Sequence, residues 1–330
     1  MRKILILALL LTALSACPTK PTEEPPKLYP GKIVIGGVDW PGYLALYVAR
    51  DKGFFKEEGV DVEFRIYNSH VGYIADYLAG KIQGVTNLGN ELIDQVLRGF
   101  DQRVVLVIDY SNGSDGIAAS PAIKNFGQIR GKRVAYEHGT LEEYFFLYAL
   151  EQYRLSVKEI VPVNLDPIES AKALEEGKVD AAVTYEPHLS KTIKKIGGTC
   201  IYSSADAPGL ITDLLTFGAP FIENYPDSVS AIVRAYFRAI RFWKENPDEV
   251  HGILTGQFKA TKEEVIQQLK GVTILDEQEN QTALTFSMGT ASLYGNLRRV
   301  GDFVMQKQGK KRGDLDTDKL IDKRFIKNLK

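Results

Sequence analysis

Residues 32–66 read KIVIGGVDWPGYLALYVARDKGFFKEEGVDVEFRI, and their periodicity changes twice. Residues 33–38 are a near-continuous apolar run, the pattern of a strand covered on both faces, whereas 61–66 alternates apolar with polar as a half-exposed strand does. Between them, 43–52 carries helical spacing. Strand, helix and strand in that order form a βαβ unit, and a right-handed crossover lays its two strands parallel. The alternation continues with helices expected at 72–80 and 91–98 and a strand at 104–108, which builds a doubly wound sheet.

A second series begins near Gly116. Strands at 132–136, 160–163 and 180–184 alternate with helices at 140–152, 167–176 and 187–195. Thr140 and Glu143 have the spacing of a capping box, and Leu141, Phe145, Tyr148 and Ala149 supply an apolar stripe. Past Thr216 the strands are expected to stop. Residues 228–243 place Val229, Ile232, Val233, Tyr236, Phe237, Ile240 and Trp243 on one side of a helix and Arg234, Arg238 and Arg241 off it. Further helices are expected at 262–269, 285–307 and 317–328. The fold class is therefore α/β with two lobes, each a mostly parallel sheet flanked by helices, and a helical C-terminal region packed on lobe I. Lobe I takes 31–113 and 218–330, and lobe II takes 114–217. The chain crosses near 112–118, where Gly113 and Gly116 loosen the backbone, and again near 208–218. A cleft between two such lobes is where small molecules preferentially bind.

The N-terminus addresses the compartment. Arg2 and Lys3 precede an apolar stretch at 4–11 that is too short to span a bilayer, so 1–16 reads as a cleaved export signal. It ends in Leu14-Ser15-Ala16-Cys17, which resembles the lipobox of bacterial lipoproteins, and that resemblance implies acylation of Cys17. Residues 17–30 are rich in proline and charge and read as a lipidated tether. The protein is thus expected in the cell envelope, on the periplasmic or extracellular face, anchored through Cys17. With Cys17 acylated, Cys200 has no disulfide partner, and its place in a strand pattern points to a buried structural thiol.

Composition narrows the chemistry. Of 330 residues, 44% are hydrophobic and 25% charged, enough for one large or two medium cores. Lys plus Arg number 41 against 42 Asp plus Glu, so no net field favours a nucleic-acid partner. The histidines at 70, 138, 188 and 251 have no metal-ligand spacing, and no Gly-x-Ser-x-Gly elbow, phosphate loop or dinucleotide fingerprint occurs. No cofactor, metal or catalytic group is expected, and the chain is expected to be a monomer.

A set of short motifs carries a resemblance. Trp40-Pro41-Gly42-Tyr43, Tyr47-Val48-Ala49, Lys52-Gly53-Phe54-Phe55 and Gly59-Val60-Asp61-Val62 open it. The stretches Tyr110 to Ile117, Gly131 to Ala135 with Gly139-Thr140, Val179 to Val183 with Glu186-Pro187, and Pro208 to Asp213 follow in order. Together these resemble the NMT1/THI5-like family, periplasmic proteins that bind nitrate, taurine, alkanesulfonates and thiamine-pyrimidine precursors, named after its fungal pyrimidine-synthase members. The resemblance spans roughly 32–243. It implies the type II periplasmic-binding-protein fold, a solute-capturing role beside an ABC permease and its ATPase, and closure of two lobes on the ligand. The cysteine-rich stretch of the fungal enzymes has no counterpart here, and His70 alone does not replace it.

In that fold the loop after the first strand, the interlobe crossing and the helix start after Gly139 face the cleft. The resemblance therefore nominates Asp39, Trp40, Tyr43, Asn87, Asn90, Ser111, Asp115, Glu137, Thr140, Tyr144, Tyr185, Glu186 and Asp213 as ligand-binding residues. Trp40 and Tyr43 flank a Pro-Gly turn, where aromatic rings could stack on a flat ligand or simply pack. Thr140 and Glu186 also fit as ordinary helix-start residues. Asp213 interrupts the apolar run 210–217, and a buried carboxylate requires partners. The nominees include five carboxylates and no Lys or Arg, which favours an amine-bearing heterocycle or a zwitterion over a fully anionic solute such as nitrate or a simple sulfonate, with taurine, sulfonate or nitrate-type binding as the alternative. A sensor using the same fold is the alternative to an importer.

Overall fold

The computed structural model describes residues 27–68 and 70–327, so the export signal, Cys17 and most of the tether lie outside the described residues. The strands are β1 (Ile33–Gly37), β2 (Val62–Ile66), β3 (Gly84–Leu88), β4 (Gln102–Ser111), β5 (Asp115–Ala119), β6 (Arg133–Tyr136), β7 (Val161–Asn164), β8 (Ala181–Tyr185), β9 (Thr199–Ser203), β10 (Thr212–Gly218) and β11 (Val272–Ile274). The helices are α1 (Leu44–Asp51), α2 (Phe54–Glu57), α3 (His70–Leu78), α4 (Gly89–Leu97), α5 (Leu141–Gln152), α6 (Pro167–Glu175), α7 (His188–Ile196), α8 (Ala219–Asn224), α9 (Pro226–Glu245), α10 (Pro247–Phe258), α11 (Lys262–Lys270), α12 (Glu277–Ala283), α13 (Leu293–Lys307) and α14 (Arg324–Lys327).

Two sheets result, in the orders β11-β4-β10-β3-β1-β2 and β7-β6-β8-β5-β9. The apolar run opening the sequence becomes β1, which pairs in parallel with both β2 and β3. As expected, most strands of each sheet share one direction, β1 to β4 in the first and β6 to β9 in the second, with β10, β11 and β5 running against them. β10 is antiparallel to β3 and β4, β11 is antiparallel to β4, and β5 is antiparallel to β8 and β9. For β10 and β5 the cause is topological: a strand that enters a sheet from the other half of the molecule arrives against the direction of the βαβ units.

The chain passes between the sheets at 112–114 and 204–211. The second passage lies earlier than the expected 208–218, because the apolar run after Leu210 is already strand β10 of the first sheet, and the expected lobe II boundary at 217 falls inside that strand. Gly113 has φ +111°, a backbone region closed to most side chains, and this lets β4 turn directly into β5. The two passages are tied together by Ser204. Its buried Oγ lies 2.7 Å from Ser111 Oγ and accepts from Gly113 N at 2.7 Å.

The C-terminal region differs in detail from its pattern. β11 is a strand where none was expected, added at the edge of the first sheet because Val272–Ile274 reaches the free side of β4. The helix expected over 285–307 starts only at Leu293. The preceding loop folds back so that Ser292 Oγ donates to Thr285 O at 2.7 Å. The helix expected over 317–328 is interrupted where Ile321 bridges to Val104. Cys200 is exposed rather than buried, because β9 is an edge strand. Helix α9 lies on the first sheet as its stripe required, burying Val229, Ile232, Val233 and Tyr236, with the Tyr236 hydroxyl donating to Ile108 O at 3.0 Å.

Ser204→Ala is expected to leave the Gly113 amide without its acceptor inside the structure, at a cost of about 1–3 kcal/mol. Urea denaturation checks this; a loss below about 0.5 kcal/mol would mean that Ser204 does not tie the passages.

Candidate functional site

Asp109 on β4 and Asp213 on β10 are direct Cα partners in the antiparallel pairing. Directly opposed residues share a face of the sheet, so two carboxylates stand side by side, 0% and 4% exposed. Burial, and next the Asp213 carboxylate, push the Asp109 pKa well above the ordinary carboxylate range. The turn after β1 serves both acids. The Tyr43 hydroxyl donates to Asp213 Oδ1 at 2.5 Å, and the Trp40 indole Nε1 donates to Asp109 Oδ2 at 3.2 Å. Burial, then Asp213, keeps the Tyr43 phenol protonated and so a donor. Gly42 is required by close approach: a Cβ there would fall onto the Asp109 carboxylate and the Trp40 indole nitrogen. Asp109 Oδ1 is buried without a partner among the described residues.

The second sheet adds more negative charge. Asp115 opens β5 directly opposite Tyr185 of β8. Its pKa is pushed up to about 7, first by burial and further by Glu142, Asp213 and Glu186, while a hydrogen bond with Ser111 opposes the shift. Asp213 of one sheet and Asp115, Glu142 and Glu186 of the other therefore act on each other. Tyr185, half-buried, has its phenol raised by burial and then by Glu142 and Asp115. Glu137 is raised by burial and then by Glu142.

Most of the nominated residues are gathered here, with roles that differ from expectation in several cases. Asp39 is exposed and accepts from Gln257 Nε2 at 2.7 Å. Asn90, at the start of α4, keeps a buried Oδ1 without a partner among the described residues. Glu186 Oε2 accepts from Ser190 N at 3.2 Å, while the Glu186 amide donates to Ser114 O at 2.8 Å. Tyr43 is 1% exposed, so it holds Asp213 instead of stacking on a ligand, and of the two rings only Trp40 is part-exposed. Ser111 is buried, its Oγ in the tie with Ser204 and accepting from Asp115 N at 3.3 Å. Asn87 is fully buried, bonded to Gln95, Gln102 and Thr216, because its position on β3 faces α4.

Helix α5 corrects two more expectations. The capping box does not form: the Thr140 hydroxyl bonds locally with Glu137 O and Glu142, while Glu143 accepts from Gly139 N at 2.7 Å. Glu143 is drawn to Lys307 of α13, 2.5 Å away. Tyr144 sits in the same contact, its ring 5.1 Å from that of Phe303, and Arg299 pairs with Glu151 one turn further on. α5 of the second sheet thus packs on α13 of the first, and Tyr144 belongs to that contact rather than to the acid cluster. The single stripe expected on α5 is replaced by burial of Glu143, Tyr144, Phe145, Phe146, Ala149 and Leu150.

Sequence reasoning missed Asp109 and Glu142. Asp109 carried the signal used for Asp213, a carboxylate set against an apolar run, here 104–108. Glu142 gave none, since an acid in the first turn of a helix is ordinary.

The chain matches the family described as NMT1/THI5 like over residues 40–250. It belongs to that family. A relative of this NMT1/THI5-like chain in Bacillus subtilis (strain 168), named for binding aliphatic sulfonates, is 26% identical over 294 residues, covering 86% of this chain and 83% of its own length. The solved periplasmic aliphatic sulphonate binding protein of Escherichia coli superposes with a TM-score of 0.71 at 16% identity, covering 86% of this chain and 95% of that one. The desulfurization enzyme DSZB shares the fold at a TM-score of 0.62 and 15% identity, covering 90% of this chain and 98% of that one. The architecture is therefore that of periplasmic binding proteins, and the chemistry of each NMT1/THI5-like chain must be read from its own site.

Asp115 gives a pH prediction. Between its ordinary 3.8 and about 7 the folded state binds more protons than the unfolded state, so stability falls as pH rises through that window and levels off above it. Asp115→Asn is expected to make the decline shallower in melting temperatures measured from pH 4 to 8; an unchanged slope would contradict the assignment.

Proposed function

We propose that this protein is the extracytoplasmic solute-binding component of an ABC importer, and that it captures a small nitrogen-containing organic cation, a flat amine-bearing heterocycle above all, between its two halves. The observation that carries the ligand class is the acid cluster. Every charged neighbour that shifts Asp109 or Asp115 is itself a carboxylate. Such a field repels an anion at close range and is relieved by a cation or by N–H donors. The part-exposed Trp40 ring beside the cluster suits the flat face of a heterocyclic cation.

The mechanism follows from where the acids stand. Asp213 belongs to the first sheet, Asp115, Glu142 and Glu186 to the second, and the repulsion between them opposes approach. A cation placed among them converts that repulsion into attraction from both sides, so the ligand supplies the difference in free energy between open and closed forms. The closed form is then the one a permease recognises. Tyr43 and Trp40 orient the acids, and nothing in this sequence of events requires a bond to be made or broken. The low-identity likeness to an enzyme concerns the fold alone.

The sulfonate relatives supply the competing reading, an anionic ligand. Thermal-shift assays separate the two. Flat heterocyclic amines are expected to raise the melting temperature in proportion to binding, while the anionic alkanesulfonates and nitrate leave it unchanged. Stabilisation by the anions alone would refute the cation reading.

We also propose anchoring through an acylated Cys17, supported by the lipobox-like residues before it. Cys17→Ser is expected to move the protein from the membrane fraction to the soluble envelope fraction in a fractionation blot; retention in the membrane would contradict the anchor.

A further inference from the structure

Asp109 stands apart from the other acids in the cluster. It is fully buried, while Asp115, Glu142 and Glu186 are half-buried, and one of its oxygens has no partner among the described residues. Oδ2 is engaged by Trp40 Nε1, so Oδ1 is left over. A buried ionised carboxylate with an open oxygen beside a second carboxylate is a costly arrangement, and a proton on that oxygen removes most of the cost. The groups that act on Asp109 come from every side. Asp213 faces it from β10, Asp115 from β5, Trp40 from the turn after β1, and Tyr236 from α9, while its partner on β11 is the apolar Ile274. None of them is a cation. Gly42 leaves space at the carboxylate that any larger residue would fill, so the turn is built to bring Trp40 and Asp109 together.

We infer that Asp109 is the charge-selecting residue of the site: it remains a neutral acid while the site is empty and ionises only when a ligand brings a cationic N–H group to its open oxygen. This inference rests on the cation-binding reading and specifies which acid does the selecting. The proton balance is simple. A ligand arriving as a monocation meets Asp109 as COOH, one proton leaves the carboxyl for solvent, and the complex holds the ligand cation against COO⁻. A neutral ligand of the same shape drives no such exchange and leaves the carboxyl protonated. Asp109 therefore adds a discrimination between charged and neutral isosteres to the coulombic attraction that Asp115 and Glu186 supply.

Trp40 is a built-in reporter, because its indole N–H bonds the carboxyl in question and the chain has two tryptophans, Trp40 and Trp243. In a Trp243→Phe background, Trp40 emission is titrated with pH in the empty protein. The expected result is a transition with its midpoint well above the ordinary carboxylate range, and its disappearance in Asp109→Asn. A midpoint within the ordinary carboxylate range, or a transition that persists in Asp109→Asn, overturns the inference. This measurement needs no ligand, and the isosteric Asn keeps the Trp40 contact if its amide oxygen takes the place of Oδ2.

The second arm uses a charge-differing pair of like shape, 4-aminopyridinium and aniline, in calorimetric titrations with wild type and Asp109→Asn. Wild type is expected to favour the cation and Asp109→Asn to lose about tenfold or more of that preference. A cation preference that survives intact in Asp109→Asn overturns the role of Asp109 and leaves the cation-binding reading standing. Absence of any preference for the cation in wild type overturns both.

Discussion

Two carboxylates held directly opposite each other on neighbouring antiparallel strands, buried in the middle of a sheet, set the terms for the rest of this structure. Asp109 and Asp213 can coexist there because the turn after β1 delivers one donor to each, the Trp40 indole and the Tyr43 hydroxyl. The turn reaches them because Gly42 has no side chain to stand in the way. β10 lies beside β4 only because the chain returns from the second sheet, and the Ser111–Ser204 tie fixes where it leaves and re-enters. The acid pair is thus a product of the whole topology and not of one local motif.

That arrangement opposes stability. Two carboxyl groups in register, burial of ionisable groups and an open acceptor each cost free energy, and the large apolar core under α1 and α9 offsets them. Features retained against stability concentrate at working sites. The second sheet adds Asp115, Glu142 and Glu186 to the same field, so the cost is shared by both halves and is greatest when they are together. α5 and α13 already join the halves through Tyr144 with Phe303 and Glu143 with Lys307, a contact outside the acid cluster. The relatives named for sulfonates show the same architecture, and the fold carries no preference for the sign of the ligand. The sign is written in a few side chains.

Much of this was legible in the amino-acid sequence, for identifiable reasons. Strand–helix alternation from Lys32 to Ile66 gave β1, α1 and β2 directly, since burial on two faces and on one face leave different periodicities. Asp213 was found because a carboxylate inside an apolar run is conspicuous. Asp109 escaped because it ends its run instead of interrupting it, and only strand pairing shows that the two are neighbours. Asn87 and Ser111 were drawn into the site by the resemblance, but a polar residue at a strand end can face either side, and here both face buried polar networks. Tyr144 was misplaced because the contact between α5 and α13 depends on long-range packing. β11 was missed because three residues are too few to show a period.

The most direct measurement is a crystal structure of the protein with the solute it retains on purification from its native envelope. The account predicts density between the two sheets for a flat molecule against Trp40, with a nitrogen donor within hydrogen-bonding distance of a carboxylate on each half, Asp109 or Asp213 on one and Asp115 on the other. A sulfonate, nitrate or other anion seated there, or a solute bound away from both carboxylate groups, would contradict it.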